Sequence, residues 1–484
     1  MDSNPVSLLV FLASLAFTFW LAWYARTVSR AHQDDDLAGR SLNRWLIGLS
    51  AGATANSGFI VTGAVGLGYL YGVQWLLLPL SWLIGDLVFW RLFPQRINNF
   101  GRKNNAVTLT EILRSGLSNG WSRAISIVSA IVIIIGLGGY TAAQWIAGQK
   151  FLLGAFGIPS LFALLLFASL IILYSSIGGF RGSVYVDTFQ AILRLVGTLM
   201  VVITSTYLVA TESAPFLENI RAVDPAFFNP FPDASIASAV GFILGWASAA
   251  LGFGLGQPQV VNRYLAGSSP EETKKARWIY IGYVQLTWIT MTGVGILLRG
   301  LMPGLEDPEA GLSIFVQTHL FAVASGIIIA DIFGVIASTA NSLLIALAQS
   351  VKHDILSHIP LRKAHPRNLT VIIVIAGAAT MAIASVLTGS VASLAITAIS
   401  FVAAGIAGPM IIKLMNWRHT GASLTIAMII GIAVSMLWSG FGLSSTLNEA
   451  AIGISVSITL NYLMARIKKP HKSTIPISAQ DYSN

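Results

Sequence analysis

Apolar stretches long enough to cross a bilayer take up most of this chain, and they restrict its fold more than any other feature. A membrane-spanning helix needs about 20 mostly apolar residues. Thirteen segments meet or approach that length, at 6–25, 45–70, 73–93, 124–148, 160–178, 184–209, 236–257, 276–301, 318–350, 368–388, 391–414, 420–439 and 450–465. The bilayer core offers no water to free backbone groups, so each segment is expected to be a helix. The alternation of barrel strands is absent. Only 10% of the 484 residues are charged and 55% are hydrophobic, whereas a soluble domain carries about 25% charged residues. Such a surface cannot be kept wet. Soluble enzyme, disordered chain and nucleic-acid binder are therefore excluded, the last despite a net charge of +9. With no cysteine in the sequence, disulfides, thiolate metal sites and cysteine nucleophiles are excluded too.

The basic residues orient the spans. Loops on the cytoplasmic side of a membrane protein collect Lys and Arg. If the N-terminus lies outside, 25 of the 29 basic residues fall on the cytoplasmic side. Lys150, Arg221 and Arg299 fall outside, and Arg194 lies within a span. The opposite loops at 210–235 and 302–310 are acidic, carrying Glu212, Glu218, Asp224, Asp233, Glu306, Asp307 and Glu309. The first segment lacks the basic leader of a cleaved signal, and Arg26 and Arg30 follow it. The expected topology has thirteen spans, the N-terminus outside and the C-terminus cytoplasmic, in the plasma membrane (the inner membrane of a bacterium). The basic tail at 466–484 is expected to orient the chain and meet lipid headgroups.

Glycine marks two spans as broken. The second contains Gly48, Gly52, Gly58, Gly63, Gly66, Gly68 and Gly72, and the seventh contains Gly241, Gly245, Gly252, Gly254 and Gly256 before Pro258. Such clustering weakens an ordinary helix interior, although close packing through small residues also enriches glycine. Interrupted helices at matching positions of two halves point to a binding site at the membrane midplane. Spans two to six (45–209) and seven to eleven (236–414) then form two five-helix repeats. An odd number of spans in each inverts one against the other. The segment 6–25 leads, and 420–465 supplies two trailing helices.

Five motifs carry a resemblance to a known family. They are LSAGATANSG at 49–58, NNAVTLTEILRSG at 104–116, GGF with VDTFQ at 178–190, GQPQVVNRYLAG at 256–267 and IASTANSLL at 336–344. In this order and at these spacings, the chain resembles the sodium:solute symporter family, closest to its proline permeases. The resemblance implies an all-α polytopic membrane protein with a leucine-transporter-type 5+5 inverted repeat, one leading helix and two trailing ones. It also implies import of a small organic solute by alternating access, driven by sodium and with no organic cofactor.

Sodium is a hard cation and takes oxygen ligands. The resemblance assigns it the backbone carbonyls of Ala53, Asn56 and Val335 and the hydroxyls of Ser338 and Thr339. The two hydroxyls have an ordinary alternative, bonding the carbonyl one turn back. Asp187 matches a family carboxylate near the sodium exit path, and its alternative role is charge balance at a helix N-terminus. For the solute, the resemblance points to Phe59, Gly63, Tyr140, Gln144, Gly252, Phe253 and Pro258. Tyr140 and Gln144 would fix orientation, and the aromatic rings, with Trp145, would enclose apolar carbon. Backbone N–H groups at a half-helix N-terminus suit a carboxylate, so a small carboxylate-bearing solute, an amino acid such as proline, is expected.

The chain departs from the proline permeases at Ala55, where they carry aspartate, at Phe59, usually Trp, and at Gly254, usually Tyr. Two further charges lie near mid-bilayer, Arg194 and Asp331. Isolated charges there find partners, so the two are expected to pair. An alternative is that Arg194 replaces sodium as the positive charge, which would make transport proton-coupled or an exchange. Asp86, five residues before Arg91, is expected to be a paired or snorkelling structural charge rather than a proton relay. A membrane solute sensor is a further alternative that would need a separate signalling partner. Catalytic signatures such as G-x-S-x-G, H-E-x-x-H and Walker A are absent, so no enzyme activity is expected. The functional unit is expected to be a monomer that meets only its solute and the lipid.

Overall fold

The computed structural model describes residues 4–28, 34–231, 235–358, 368–387 and 389–467. The tail expected at 466–484 lies outside them beyond Ile467. Helices occupy all thirteen apolar segments. The first span is Pro5–Val28, and the second is Arg44–Ala55 followed by Gly58–Val61 and Gly63–Tyr71. Leu77–Leu92 is the third span and Asn119–Phe156 the fourth, and Ser160–Thr211 holds the fifth and sixth. The seventh to ninth are Ile236–Gly256, Arg277–Leu301 and Ala322–Ser350. The last four are Leu369–Val386, Val391–Leu414, Gly421–Gly440 and Glu449–Ile467. Counted by length and apolarity alone there are ten stretches among the described residues, and Gly58–Lys103, Ser160–Thr211 and Pro270–Leu301 each run across a turn. Among the described residues there is no strand, only an isolated bridge between Leu42 and Gly267.

Local chemistry explains where these helices stop. At the second span the Asn56 N–H still bonds the Gly52 carbonyl at 2.9 Å, but Ser57 leaves the helical conformation, with φ −27° and ψ 179°. The Ser57 hydroxyl then accepts the Phe59 N–H and starts the next turn. At the seventh span Gln257 is extended, with φ −93° and ψ 107°, and Pro258 begins a separate helix, Pro258–Leu265. Proline has no N–H to continue the first helix and a backbone preset to open the second. Ser160–Thr211 contains 52 residues, about 78 Å if straight. It turns at Gly179, whose φ of 57° and ψ of −161° suit only glycine.

The ninth span is the hub. Of its most apolar window 83% is buried, against 22% for the leading helix. It packs on the first, fourth, sixth and tenth spans and on both helical pieces around the first break. The second half of the second span, Gly63–Tyr71, lies against the eighth with backbone touching backbone. A methyl group on Gly68 would overlap the Thr292 carbonyl, and one on Gly295 would overlap the Val65 carbonyl.

Candidate functional site

Polar side chains form a buried stripe where the sixth and ninth spans face each other. Ser183, Asp187, Gln190 and Arg194 recur at helical spacing on the sixth span, as do Asp331, Val335, Ser338 and Ser342 on the ninth. All eight are buried, most of them completely. The stripe has three levels, with Asp331 and Ser338 about 10 Å apart along the ninth helix.

The middle level is the candidate ion site. Ser338 Oγ donates to the Val335 carbonyl at 3.1 Å, so this hydroxyl takes the ordinary within-helix bond. Thr339 Oγ1 does not. It donates across to the Thr54 carbonyl at 3.2 Å, tying the ninth span to the break in the second. Among the described residues no turn or loop N–H reaches the carbonyls of Ala53, Ala55 or Asn56. The Asn56 side chain is buried, its Nδ2 donating to Thr287 Oγ1 while its Oδ1 has no partner. The break therefore gathers oxygen acceptors short of donors, the donor set a hard monovalent cation needs.

On the side of the basic loops, Asp187 Oδ2 is an ion-pair partner of Arg263 at 2.8 Å and accepts from Ser50 at 2.8 Å. The Arg263 guanidinium also donates to Ser183 at 2.9 Å, Ser342 at 2.6 Å, Ser50 at 3.1 Å and the Gln259 carbonyl. It ties together the second, sixth and ninth spans and the Pro258–Leu265 helix. Thr54 Oγ1 lies 3.2 Å from Ser342 Oγ, so this cluster and the ion site share Thr54. At the third level, Arg194 Nη1 donates to Asp331 Oδ2 at 2.6 Å, both side chains at most 1% exposed. Arg194 Nε and Nη2 and Asp331 Oδ1 have no partners.

The solute residues separate into two groups. Phe59, Tyr140 and Phe253 line a small cavity of about 30 Å³, with Trp82, Trp246 and Trp288 completing an aromatic wall. Trp82 packs edge-on to both Phe253 and Trp288, with ring centroids at 5.5 and 5.3 Å. Gly63 lies against the Phe59 ring. Gln144 caps the half-helix, its Oε1 accepting the Gly58 N–H at 2.8 Å, while its buried Nε2 has no partner. In this conformation the N–H groups expected to meet a carboxylate are partly taken, by Gln144 at Gly58 and by Ser57 at Phe59. Gly252 faces Ala403 and Ile454 instead of the cavity, and Pro258 is a buried helix start that does not line it. Trp145 also points away, its Nε1 donating to Thr380 at 3.0 Å. Replacing Gln144 by Leu is expected to leave the buried Gly58 N–H unsatisfied, at a cost of about 1–3 kcal/mol, checked by equilibrium unfolding in mixed micelles.

Asp86 departs from expectation. No ion pair to Arg91 forms, because residues five apart lie about 140° apart around a helix. Asp86 is 1% exposed and its Oδ2 has no partner. On the side of the acidic loops, Glu309 is nearly buried. It pairs with Lys150 at 2.7 Å and accepts the N–H groups of Val391 and Ala392 at 3.2 and 3.1 Å, capping the eleventh span. On the opposite side Arg44 and Glu272 form a two-bond pair, and the Arg44 hydrogen bonds hold the Glu272 carboxyl below its ordinary range.

Sequence reasoning did not single out Arg263, Trp82, Trp246, Trp288 or Glu309. Arg263 lies within GQPQVVNRYLAG but counts as the first charge of a basic loop. Glu309 reads as one more loop acid. The tryptophans are three among 13, with nothing in their spacing to mark them.

Comparison with known proteins agrees with this architecture. The osmoregulated proline transporter OpuE of Bacillus subtilis (strain 168) is 26% identical over 471 residues, covering 94% of this chain and 93% of the relative. The high-affinity proline transporter PutP of the same organism is 26% identical over 465 residues, covering 93% and 95%. A solved structure of a Na+-coupled sialic acid symporter, substrate-bound and outward-open, superposes with a TM-score of 0.80 at 20% identity, covering 98% of this chain and all of that one. MhsT in complex with L-phenylalanine gives a TM-score of 0.53 at 17% identity, covering 87% and 99%. These likenesses establish the leucine-transporter-type fold in a multi-pass membrane protein. The model of the sodium:solute symporter family, whose members are transporters and not enzymes, matches residues 37–431, and the chain belongs to that family.

Proposed function

We propose that the protein is a sodium-driven symporter that imports a small zwitterionic solute, an amino acid such as proline, across a bacterial plasma membrane. The observation that carries the sodium reading is the Thr339–Thr54 bond. It brings the hydroxyl pair of the ninth span to a helix break whose carbonyls lack donors. Ala53, Asn56, Val335, Ser338 and Thr339 supply the ion's oxygens. Asp187 belongs to the cluster on the basic side, which the ion passes on leaving. The alternative, in which Arg194 replaces sodium, is disfavoured by the Asp331 carboxylate that already offsets its charge.

Residues 45–209 and 236–414 act as the two inverted halves, with the N-terminus outside and the protein working as a monomer. The aromatic cavity between them accepts an apolar ring or chain, and Tyr140 and the Gln144 amide supply the polar contacts. The cavity is small, about 30 Å³, and the solute is expected to enter in a more open conformation.

The test is the thermal stability of the purified protein titrated with sodium against potassium at constant ionic strength. A ligand at a hundredfold excess over Kd stabilises the folded state by about 2.7 kcal/mol. A saturable shift with sodium alone is expected, lost in Ser338→Ala and in Thr339→Ala. Identical curves for the two cations would reject sodium coupling.

A further inference from the structure

The third span carries a polar stripe that begins at the solute cavity and continues past it, away from the ion site. Trp82, Asp86 and Trp90 recur every fourth residue, so they lie along one face at steps of about 6 Å. Trp82 lines the solute cavity. Trp90 packs against Tyr264 of the Pro258–Leu265 half-helix and against Tyr280 of the eighth span, with ring centroids at 5.2 and 5.1 Å. Four buried polar atoms along this stripe have no hydrogen-bond partner: Trp82 Nε1, Asp86 Oδ2, Trp90 Nε1 and Tyr264 OH. A buried group without a partner calls for a reason, and of these four Asp86 is the one that can carry a charge.

The surroundings of Asp86 narrow that reason. The Ile236–Gly256 helix packed against the third span has no titratable residue. The Pro258–Leu265 helix offers Tyr264 and Arg263, and the arginine is committed to Asp187. From the eighth span the facing group is Tyr280. Arg91 lies on another face of the third span, and Arg96 beyond it donates to the Met415 sulfur. Among the described residues no cation pairs with the Asp86 carboxylate. An ionised carboxylate without a partner in a low-dielectric interior is very costly, and such groups neutralise instead.

We propose that Asp86 is a proton-binding site, loaded while the Pro258–Leu265 half-helix is packed against it and emptied when that helix moves away. The carboxylate takes one proton from the cavity side to become the acid. It returns that proton to the basic side when Tyr264 and Trp90 separate and water reaches it. One proton then crosses with each cycle, alongside the sodium of the proposed symport, on which this inference rests.

The test uses the full-length protein. Infrared difference spectra are recorded in sodium and in potassium, and proteoliposomes loaded with a pH-sensitive dye are given an inward sodium gradient with L-proline as the probe. The wild type is expected to show the carbonyl stretch of a protonated carboxylic acid, which changes between the two cations and is absent from Asp86→Asn. Lumenal acidification per proline taken up is expected in the wild type and is expected to be lost in Asp86→Asn, whose melting temperature stays unchanged because its amide matches the neutral acid in shape. Asp86→Glu is expected to restore the acidification. The proposal is overturned if Asp86→Asn fails to fold, which would mean the charged form is required. It is also overturned if no acid band is lost, if the band is the same in both cations, or if the variant still acidifies the lumen. Absence of proline uptake in the wild type would count against the proposed solute, while the infrared comparison still decides the role of Asp86.

Discussion

Arg194→Met alone is expected to cost about 3–5 kcal/mol of stability, because it leaves the Asp331 carboxylate buried without its cation. Both side chains are at most 1% exposed and share a 2.6 Å bond between the sixth and ninth spans. Asp331→Leu should do comparable damage from the other side, stranding a guanidinium whose Nε and Nη2 already lack partners. Replacing a buried pair by apolar residues of similar volume is often neutral. The double variant should therefore be more stable than either single one, a coupling larger than either single loss of about 3–5 kcal/mol. Equilibrium unfolding of the four proteins in mixed micelles measures the cycle, and additive losses would show that the two charges do not depend on each other. The double variant also separates two roles. Retained sodium-driven uptake assigns the pair to architecture, whereas a folded variant without uptake gives Arg194 a part in coupling.

Arg263→Met is expected to be as destabilising and also to change the sodium dependence. One guanidinium holds Ser50, Ser183, Asp187 and Ser342 on three spans, and stacks over the Phe180 ring at 5.3 Å. Removing it frees the hydroxyl of Ser342, the neighbour of Thr54, and Thr54 supplies the carbonyl that Thr339 binds. A disturbance worth about 1.4 kcal/mol at the ion site corresponds to a tenfold change in affinity. The sodium concentration for half-maximal stabilisation is therefore expected to rise about tenfold or more, measured by thermal titration. Lost stability with an unchanged sodium midpoint would confine Arg263 to a structural role.

The architecture was legible because the bilayer applies one rule everywhere. A long apolar run is a helix, and a glycine cluster inside it marks where the helix stops, so Ser57 and Gln257 fall inside the spans that glycine content marked as broken. Arg194 and Asp331 were legible for the same reason, since charges in the interior must meet. Asp86 shows the limit of that reasoning. Arg91 is near in sequence but on a different helix face, and only the packing reveals that no other cation replaces it. Arg263 was hidden by its position, because a basic residue at a span end reads as a loop charge whether it snorkels or turns inward. Which tryptophans wall the cavity depends on how the third, seventh and eighth spans are rotated, and hydropathy does not encode rotation when all faces are apolar. Gly252 and Pro258 match their motif, yet they serve helix packing and the break rather than the cavity surface.

Close contact between Gly63–Tyr71 of the second span and the eighth has a mechanical consequence. With the Gly68 backbone against Thr292 and the Gly295 backbone against Val65, neither helix slides past the other without first separating. The pair is therefore expected to travel as one rigid lever during the transport cycle. The hinge for that lever is expected at its start, where Ser57 divides the second span. A chemical cross-link between these two helices should leave turnover intact, whereas one from the lever to the eleventh span, across the Glu309 cap, should freeze it.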